Sequence, residues 1–136
     1  MTSIPNFVGK YTNTISGVLR TLNIAQQDST KLTLTGTWAS TINGVAASFP
    51  VSGFFVPAPS GVGSSATYFV LSGSAQVSDP KSQPPIMRAA QTLVGYCDDP
   101  GSGGVVQQLF LAIAWAEDNP GYAKSTGAWV NQFLKR

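Results

Sequence analysis

The chain has 136 residues, and only 10% of them are charged, against roughly 25% in an average soluble protein. This length fits one domain, residues 1–136, with a sizeable core. The eight basic residues are scattered, so the net charge of +2 comes without the basic cluster that binding to nucleic acid requires. No apolar run approaches the ~20 residues of a membrane-spanning helix. We therefore expect neither nucleic acid nor a membrane as a partner.

The inventory of reactive side chains argues against an enzyme. Histidine, the commonest general base and metal ligand, is absent. None of the acidic residues is predicted to lie in the middle of a strand on an inward face. Asp98 and Asp99 could bind a cation, but a solvated turn before Pro100 is the better interpretation. The single Cys97 cannot form an internal disulfide. Because histidine is absent and the acidic residues lie in predicted turns, we expect no catalytic group, metal or cofactor.

Short apolar or alternating runs recur between turn signals, which is typical of an all-β chain. Eight strands are predicted, at about 7–15, 18–25, 31–42, 46–56, 66–77, 87–97, 105–116 and 122–134. Ser16 and Gly17 separate the first two strands, and Asn43 and Gly44 have the composition of a tight hairpin. Turn-rich segments separate others, at about 57–61, 78–85, 98–104 and 119–121. There is no convincing helical period, linker or repeat, so we expect an up-and-down barrel or a sandwich.

The third predicted strand has two unlike faces. Alternate side chains of a strand point to opposite sides, so one face carries Leu34, Trp38 and Ser40 while the other is rich in threonine. An inner face that is apolar at one end and polar at the other can line a cavity with a dry floor and a hydrogen-bonding wall. The simpler alternative is a core strand whose last inward residue has reached the rim.

Two more strands place an aromatic residue and a small polar residue two positions apart on one face. These pairs are Tyr11 with Asn13 and Trp129 with Asn131. An unpaired amide in apolar surroundings costs ~1–3 kcal/mol, so both asparagines need partners if they lie inside the protein. They can bond to each other, to the backbone or to water, or they can await a ligand.

The seventh predicted strand, 105–116, is apolar on both faces. Leu111 and Trp115 lie on one side, while Phe110 and Ala114 lie on the other. Strands of this kind are covered on both faces. In a single-layer barrel of this size only another subunit can cover the outside, and obligate interfaces are apolar in this way. We therefore expect a homo-oligomer.

Several segments together resemble the avidin/streptavidin family of biotin-binding barrels. The longest match runs without a gap from about Leu34 to Phe55. The matching segments are 9–13 (GKYTN, the first strand of the family), 34–40 (LTGTWAS), 49–55 (FPVSGFF), 92–97 (TLVGYC, its fifth strand) and 124–126 (KST) with Asn131 and Phe133 (its last strand). The order and spacing of these segments carry the resemblance.

The resemblance implies an eight-stranded antiparallel up-and-down barrel that forms a homodimer or homotetramer. It also implies that biotin, or a similar cyclic urea, binds at one open end of the barrel. We further expect a secreted or periplasmic protein, although Met1 to Pro5 lack the charged start and apolar core of a signal peptide.

By position, the resemblance implies that Asn13, Ser16 or Gly17, and Trp38 hold the ureido oxygen of the ligand. Ser40 and Asn131 then accept hydrogen bonds from its N–H groups. The full candidate ligand-binding set is Asn13, Ser16, Gly17, Trp38, Ser40, Ile42, Ser72, Ser74, Gln91, Leu93, Phe110 and Asn131.

The chain departs from the family where aromatic residues surround the ligand. Where the family has aromatic residues, this chain has Ser72 or Ser74, Leu93, Phe110 or Trp115, and Tyr122 or Ala123. Gln91 replaces a threonine of the family. Ala89 and Gly44 replace groups that bind the carboxylate of the ligand. An aromatic side chain buries ~150–250 Å² of surface, and burial of apolar surface contributes ~25 cal/mol of free energy per Å². We therefore expect an affinity for biotin far below the family's best.

The alternative function is an oligomeric structural or interaction barrel with a closed mouth and no biotin binding. In that case Gln91, Leu93 and Ala123 fill the mouth, and Asn13 bonds directly to Asn131. A cavity large enough for a bicyclic ligand distinguishes the two functions.

Overall fold

A computed structural model describes residues 2–59, 66–78, 81, 85–98, 100, 104–118 and 124–135. The strands are β1 (Thr2–Ser3), β2 (Gly9–Ile15), β3 (Val18–Asp28), β4 (Thr33–Ile42), β5 (Val45–Val56), β6 (Ala58–Pro59), β7 (Ala66–Ser78), β8 (Ile86–Asp98), β9 (Gln108–Asp118) and β10 (Lys124–Lys135). The described residues include no helix that is long and apolar enough to cross a membrane.

Eight of these strands form one closed antiparallel barrel in the order β10-β2-β3-β4-β5-β7-β8-β9. Neighbours in the barrel are successive long strands of the chain, and the short β1 and β6 pair only with each other. β10 closes the ring on β2, where Leu134 pairs with Thr12. The predicted all-β, eight-stranded up-and-down barrel is confirmed.

The predicted strand boundaries agree with the barrel strands to within three residues. The largest differences are in β3, which continues to Asp28, and in β9, which runs from Gln108 to Asp118. The turn-rich segments predicted at about 57–61, 78–85, 98–104 and 119–121 lie partly or wholly outside the described residues, as do Tyr122 and Ala123.

Two tight hairpins lie at the same end of the barrel. Ser16 and Gly17 connect β2 to β3 with φ angles of 52° and 77°, and Asn43 and Gly44 connect β4 to β5 with φ angles of 52° and 81°. Two-residue loops with positive φ at both positions have the twist that matches antiparallel strands. The predicted hairpin at Asn43 and Gly44 is confirmed. We call the barrel end that carries these two turns the mouth.

Apolar side chains fill most of the barrel interior. The larger ones are Tyr11, Leu22, Ile24, Leu34, Trp38, Ile42, Phe49, Val51, Phe55, Phe69, Leu71, Met87, Leu93, Leu109, Leu111, Ile113 and Phe133. The Trp38 and Phe133 rings meet near the middle, with centroids 5.5 Å apart. An eight-stranded barrel is just wide enough for side chains to fill it, so the space left for a ligand is small.

Phe7, from the segment before β2, closes the end of the barrel opposite the mouth. Its buried ring lies 5.5 Å from the Phe55 ring and 5.7 Å from the Phe69 ring. Its backbone N–H donates to Gln27 Oε1 at 2.8 Å, and its carbonyl accepts from the Tyr11 hydroxyl at 2.6 Å. Burial raises the pKa of the Tyr11 phenol well above its usual value, so the hydroxyl stays a donor.

We expect Phe7→Ala to lower the free energy of unfolding by about 3–5 kcal/mol, because it empties a fully enclosed position. The matched control is Val8→Ala, whose side chain is 41% exposed, for which a loss of about 1 kcal/mol or less is expected. Urea unfolding followed by tryptophan fluorescence measures both values. Equal losses in the two variants would contradict a closing role for Phe7.

Candidate ligand-binding site

The mouth collects polar side chains that alternation turns toward the interior. Ser40 and Gln91 are 6% and 8% exposed, and Asn13, Arg20 and Asn131 are half-buried. They come from five different strands, β4, β8, β2, β3 and β10. The sequence predicted all of them except Arg20.

Asn13 bonds to Asn131 and to the backbone. Asn13 Nδ2 donates to Asn131 Oδ1 at 3.3 Å and to the Gln132 carbonyl at 2.8 Å. A side-chain amide carries two N–H groups, so both donors of Asn13 are used within the chain. Of the alternatives that the sequence left open, the structure shows a bond between the two asparagines and a bond from Asn13 to the backbone.

Trp38 and Gln91 form a second internal pair. The fully buried indole of Trp38 donates through Nε1 to Gln91 Oε1, which uses the one donor that an indole possesses. Leu93 and Ile42 are also buried inside the barrel. Trp38 is therefore placed as predicted, next to the mouth, but its hydrogen bond runs to a side chain of the protein.

Arg20 is the charged residue of the mouth that sequence reasoning missed. It lies directly across from Asn13 in the β2–β3 ladder, and its Nη1 donates to the Ser40 hydroxyl oxygen. Burial lowers the pKa of the Arg20 guanidinium, and the Glu117 carboxylate partly offsets this effect. The signal that could have found it is the alternation of Arg20 with Leu22 and Ile24, two core residues of the same strand.

A cavity of about 160 Å³ lies at the mouth. Its lining residues are Arg20, Thr41, Gln91, Trp115 and Glu117. A water molecule occupies ~30 Å³ in liquid water, so this volume corresponds to roughly five waters. Pockets for drug-sized ligands are typically ~300–1,000 Å³, so the cavity suits a much smaller group.

Trp115 forms one wall of this cavity because its cross-strand neighbour is a glycine. Trp115 pairs with Gly127, where a Cβ atom would lie only 2.3 Å from Trp115 Cζ2. The sequence left Phe110 and Trp115 as alternatives for the inward aromatic residue of this strand. Trp115 takes that position, whereas Phe110 lies on the outer face with its ring centroid 5.0 Å from that of Tyr96.

Glu117 reaches the cavity because β9 extends beyond its predicted end at 116. No acidic residue was expected on an inner face within a strand, and Glu117 differs from that expectation. Its Oε2 accepts from the Asn43 backbone N–H at 3.1 Å, and Asn43 Nδ2 donates to the Asp118 carbonyl at 2.8 Å. These bonds tie the β4–β5 turn to the end of β9, across the mouth.

An exposed ion pair borders the mouth beside this contact. Arg88 Nε lies 2.8 Å from Asp118 Oδ2. The hydrogen bond from the Arg88 side chain lowers the pKa of the Asp118 carboxyl. Such surface pairs contribute little to stability, so Arg88 serves below as a reference for the loss of a positive charge.

Four more predicted site residues, besides Phe110, lie away from the interior. Ser16 and Gly17 are exposed in the first hairpin turn. Ser72 and Ser74 are exposed on the outer face of β7, because the buried Leu71 fixes the alternation of that strand. The expectation that one of these serines faces the ligand is therefore corrected.

The described residues include no group of three or more His, Cys, Asp or Glu side chains that could hold a metal ion. Asp99 and the side chain of Trp129 lie outside the described part of the structure. No protein-family model matches the chain, and no curated protein matches it.

We expect Gln91→Leu to lower the free energy of unfolding by about 1–3 kcal/mol, because it removes the acceptor of the buried Trp38 N–H. The matched control is Gln76→Leu, at an exposed position of β7, where the change should be within about 0.5 kcal/mol. Thermal and urea unfolding measure both. A Gln91→Leu variant as stable as its control would show that the Trp38–Gln91 bond adds nothing to the fold.

Proposed function

We propose that this protein is a non-enzymatic β-barrel, similar to the avidin/streptavidin family, that self-associates and binds a small ligand at its mouth. The ligand is biotin or a related cyclic urea, bound more weakly than in the best members of that family. The observation that carries this proposal is the cavity of about 160 Å³ at one end of the barrel, lined by the buried Gln91 and by the half-buried Arg20, Thr41, Trp115 and Glu117. This space holds one ring of such a ligand.

Donors for such a ligand remain on two of the buried residues. Ser40 accepts from Arg20 and Gln91 accepts from Trp38, each through its side-chain oxygen. The Ser40 hydroxyl hydrogen and the Gln91 amide hydrogens can therefore point to a ligand. In a largely dry interior these bonds are stronger than in water.

The size of the cavity determines what fits. One small ring with its polar atoms matches a space of about 160 Å³, whereas a second ring and a tail need the side chain of Arg20 or Trp115 to move. Moving Arg20 costs its contact with Ser40. This cost supports a reduced affinity for biotin.

A specific observation favours a second candidate function, the structural or interaction barrel with a closed mouth. Asn13 bonds to Asn131, and the Asn43 turn is tied to Glu117 and Asp118. Both features close the interior without a ligand. The second candidate shares the self-association of the first and differs in binding neither biotin nor a biotin-like urea.

Isothermal titration with biotin and desthiobiotin distinguishes the two candidates. We expect saturable binding with a Kd between about 1 μM and 1 mM, and a melting temperature that rises with ligand concentration. Pentanoic acid, which has the tail of biotin without its rings, is the control and should give neither effect. No heat and no thermal shift at millimolar biotin would exclude the first candidate.

Support for self-association comes from the outer face of β5, β7, β8, β9 and β10. Outward residues that pair directly between neighbouring strands form two apolar rows, which run across the strands. The first row is Val56, Tyr68, Tyr96 and Phe110, and the second is Phe54, Val70, Val94, Ala112 and Val130. A third row toward the mouth is small and uncharged, with Ser52, Ser72, Thr92, Ala114 and Ala128. We call these three rows the apolar face.

The size of the apolar face supports a second copy of the chain as its partner. Phe54, Tyr68 and Tyr96 are 62%, 59% and 39% exposed. At ~150–250 Å² per aromatic side chain, these three expose roughly 300 Å². The valines of the two rows add further area toward the ~800 Å² that each partner of a standard interface buries. No residue of the three rows is charged, which suits contact with an identical surface.

We expect Val94→Lys, at the centre of the apolar face, to convert the oligomer to monomer, because burying an unpaired ammonium is costly. The matched control is Leu19→Lys, an exposed apolar position on β3, which lies opposite β8 in the ring. Sedimentation velocity over a range of concentrations measures both. A monomeric wild type, or equal dissociation by the two variants, would contradict association through this face.

A further inference from the structure

Arg20 and Glu117 are the two charged side chains among the lining residues of the mouth cavity. They come from β3 and β9, which are not neighbours in the ring. Thr41, Gln91 and Trp115 complete the lining. A small space that combines one cation, one anion, neutral polar groups and an indole restricts the chemistry of what it can hold.

We propose that Arg20 and Glu117 recognise the ligand, and that they select a neutral group in which a carbonyl lies next to an N–H. Arg20 donates to the carbonyl oxygen, and Glu117 accepts from the adjacent N–H. Amides, lactams and cyclic ureas share this edge. The inference rests on the proposed ligand-binding function and names the residues and the ligand chemistry of its site.

Two side chains that the resemblance implies for the carbonyl oxygen, Asn13 and Trp38, cannot donate to it without breaking an existing bond. Both N–H groups of Asn13 are directed at Asn131 and Gln132, and the single N–H of Trp38 is directed at Gln91. A guanidinium carries five donors, so the contact of Arg20 with Ser40 is compatible with donation to a ligand. Recognition of the carbonyl oxygen therefore shifts from Asn13 and Trp38, which the resemblance implies, to Arg20.

Glu117 is suited to the complementary role. Its Oε2 accepts from the Asn43 N–H, and an ionised carboxylate has about four acceptor positions on its two oxygens. A ligand N–H can therefore bond to Glu117 while the turn contact stays in place. Hydrogen bonds to charged groups are stronger than those between neutral groups.

The balance of charge explains why a neutral group is selected. A carboxylate ligand placed at Arg20 also faces Glu117, and an ammonium ligand placed at Glu117 also faces Arg20. Each charged ligand thus meets a like charge in a small, partly desolvated space, where repulsion is larger than in water. A carbonyl beside an N–H satisfies both residues without adding charge, and Trp115 provides an apolar wall for the rest of the ring.

Four five-membered-ring probes of similar size test this selectivity. They are imidazolidin-2-one, pyrrolidin-2-one, cyclopentanone, which lacks the N–H, and cyclopentanecarboxylate, which is anionic. Titration of the isotope-labelled protein, followed by amide chemical shifts, measures weak binding and reports whether each variant is folded. For the wild type we expect saturable binding of the first two probes and at least tenfold weaker binding of the other two.

Two substitutions test the roles of the residues. Arg20→Met should weaken imidazolidin-2-one at least tenfold, since a hydrogen bond to a charged group is lost. Glu117→Gln should weaken imidazolidin-2-one several-fold and strengthen cyclopentanecarboxylate several-fold, because the opposing negative charge is gone. A merely structural role would not produce this reversal. Arg88→Gln, which removes an exposed positive charge near the mouth, is the control and should leave all affinities unchanged.

The outcomes separate this inference from the function on which it rests. If the wild type binds neither biotin nor any of the four probes, both the function and the inference are overturned. If it binds imidazolidin-2-one, and the two variants bind it equally well, only the inference is overturned. The same holds if the wild type binds cyclopentanecarboxylate as tightly as imidazolidin-2-one. If Arg20→Met does not fold, Glu117→Gln decides alone: weaker imidazolidin-2-one and stronger cyclopentanecarboxylate binding supports the inference, and unchanged binding overturns it.

Discussion

Alternate side chains of the eight strands point into the same narrow interior, apart from a register shift between Ile24 and Gln26 in β3, and this constraint governs the rest of the molecule. An interior of this width is filled by side chains or holds one small ligand. Toward Phe7 the filling is largely apolar, with the buried Thr67 hydroxyl as an exception. Toward the mouth the inward positions are polar, so each of these side chains must find a partner or lose stability. The pairs Arg20–Ser40, Trp38–Gln91 and Asn13–Asn131 follow from this requirement.

Alternation also explains how much of the structure was predictable from the sequence. In β2 and β4 the pattern is unambiguous, so Asn13, Trp38 and Ser40 were placed correctly near the mouth. In β7 the outer face carries Tyr68 and Val70 while the inner face has Gly73 and Ala75 toward the mouth, so hydrophobicity did not mark the inside there. Ser72 and Ser74 were candidates through the resemblance, and the alternation of this strand gave no clear signal against them.

Charged residues were harder to place, for a different physical reason. An arginine or glutamate in a sequence is normally solvent-exposed, and nothing local reveals that a distant strand supplies its partner. Arg20 and Glu117 are separated by most of the chain, and only closure of the barrel brings both to one cavity. The partners of Asn13 and Trp38 are also distant in sequence, by 118 and 53 residues. The sequence could therefore indicate which side chains need partners and name Asn131 as one possibility for Asn13, but it could not select among the possibilities.

The internal pairs also limit how tightly any ligand can bind at the mouth. A ligand that takes the donor of Trp38 or those of Asn13 must first break an existing bond, so it exchanges one contact for another and gains little. Arg20 and Glu117 differ because a guanidinium carries five donors and a carboxylate about four acceptor positions. A contact to a ligand there does not require the bonds to Ser40 and Asn43 to break. The proposed recognition through these two residues therefore leaves the pairs Trp38–Gln91 and Asn13–Asn131 in place.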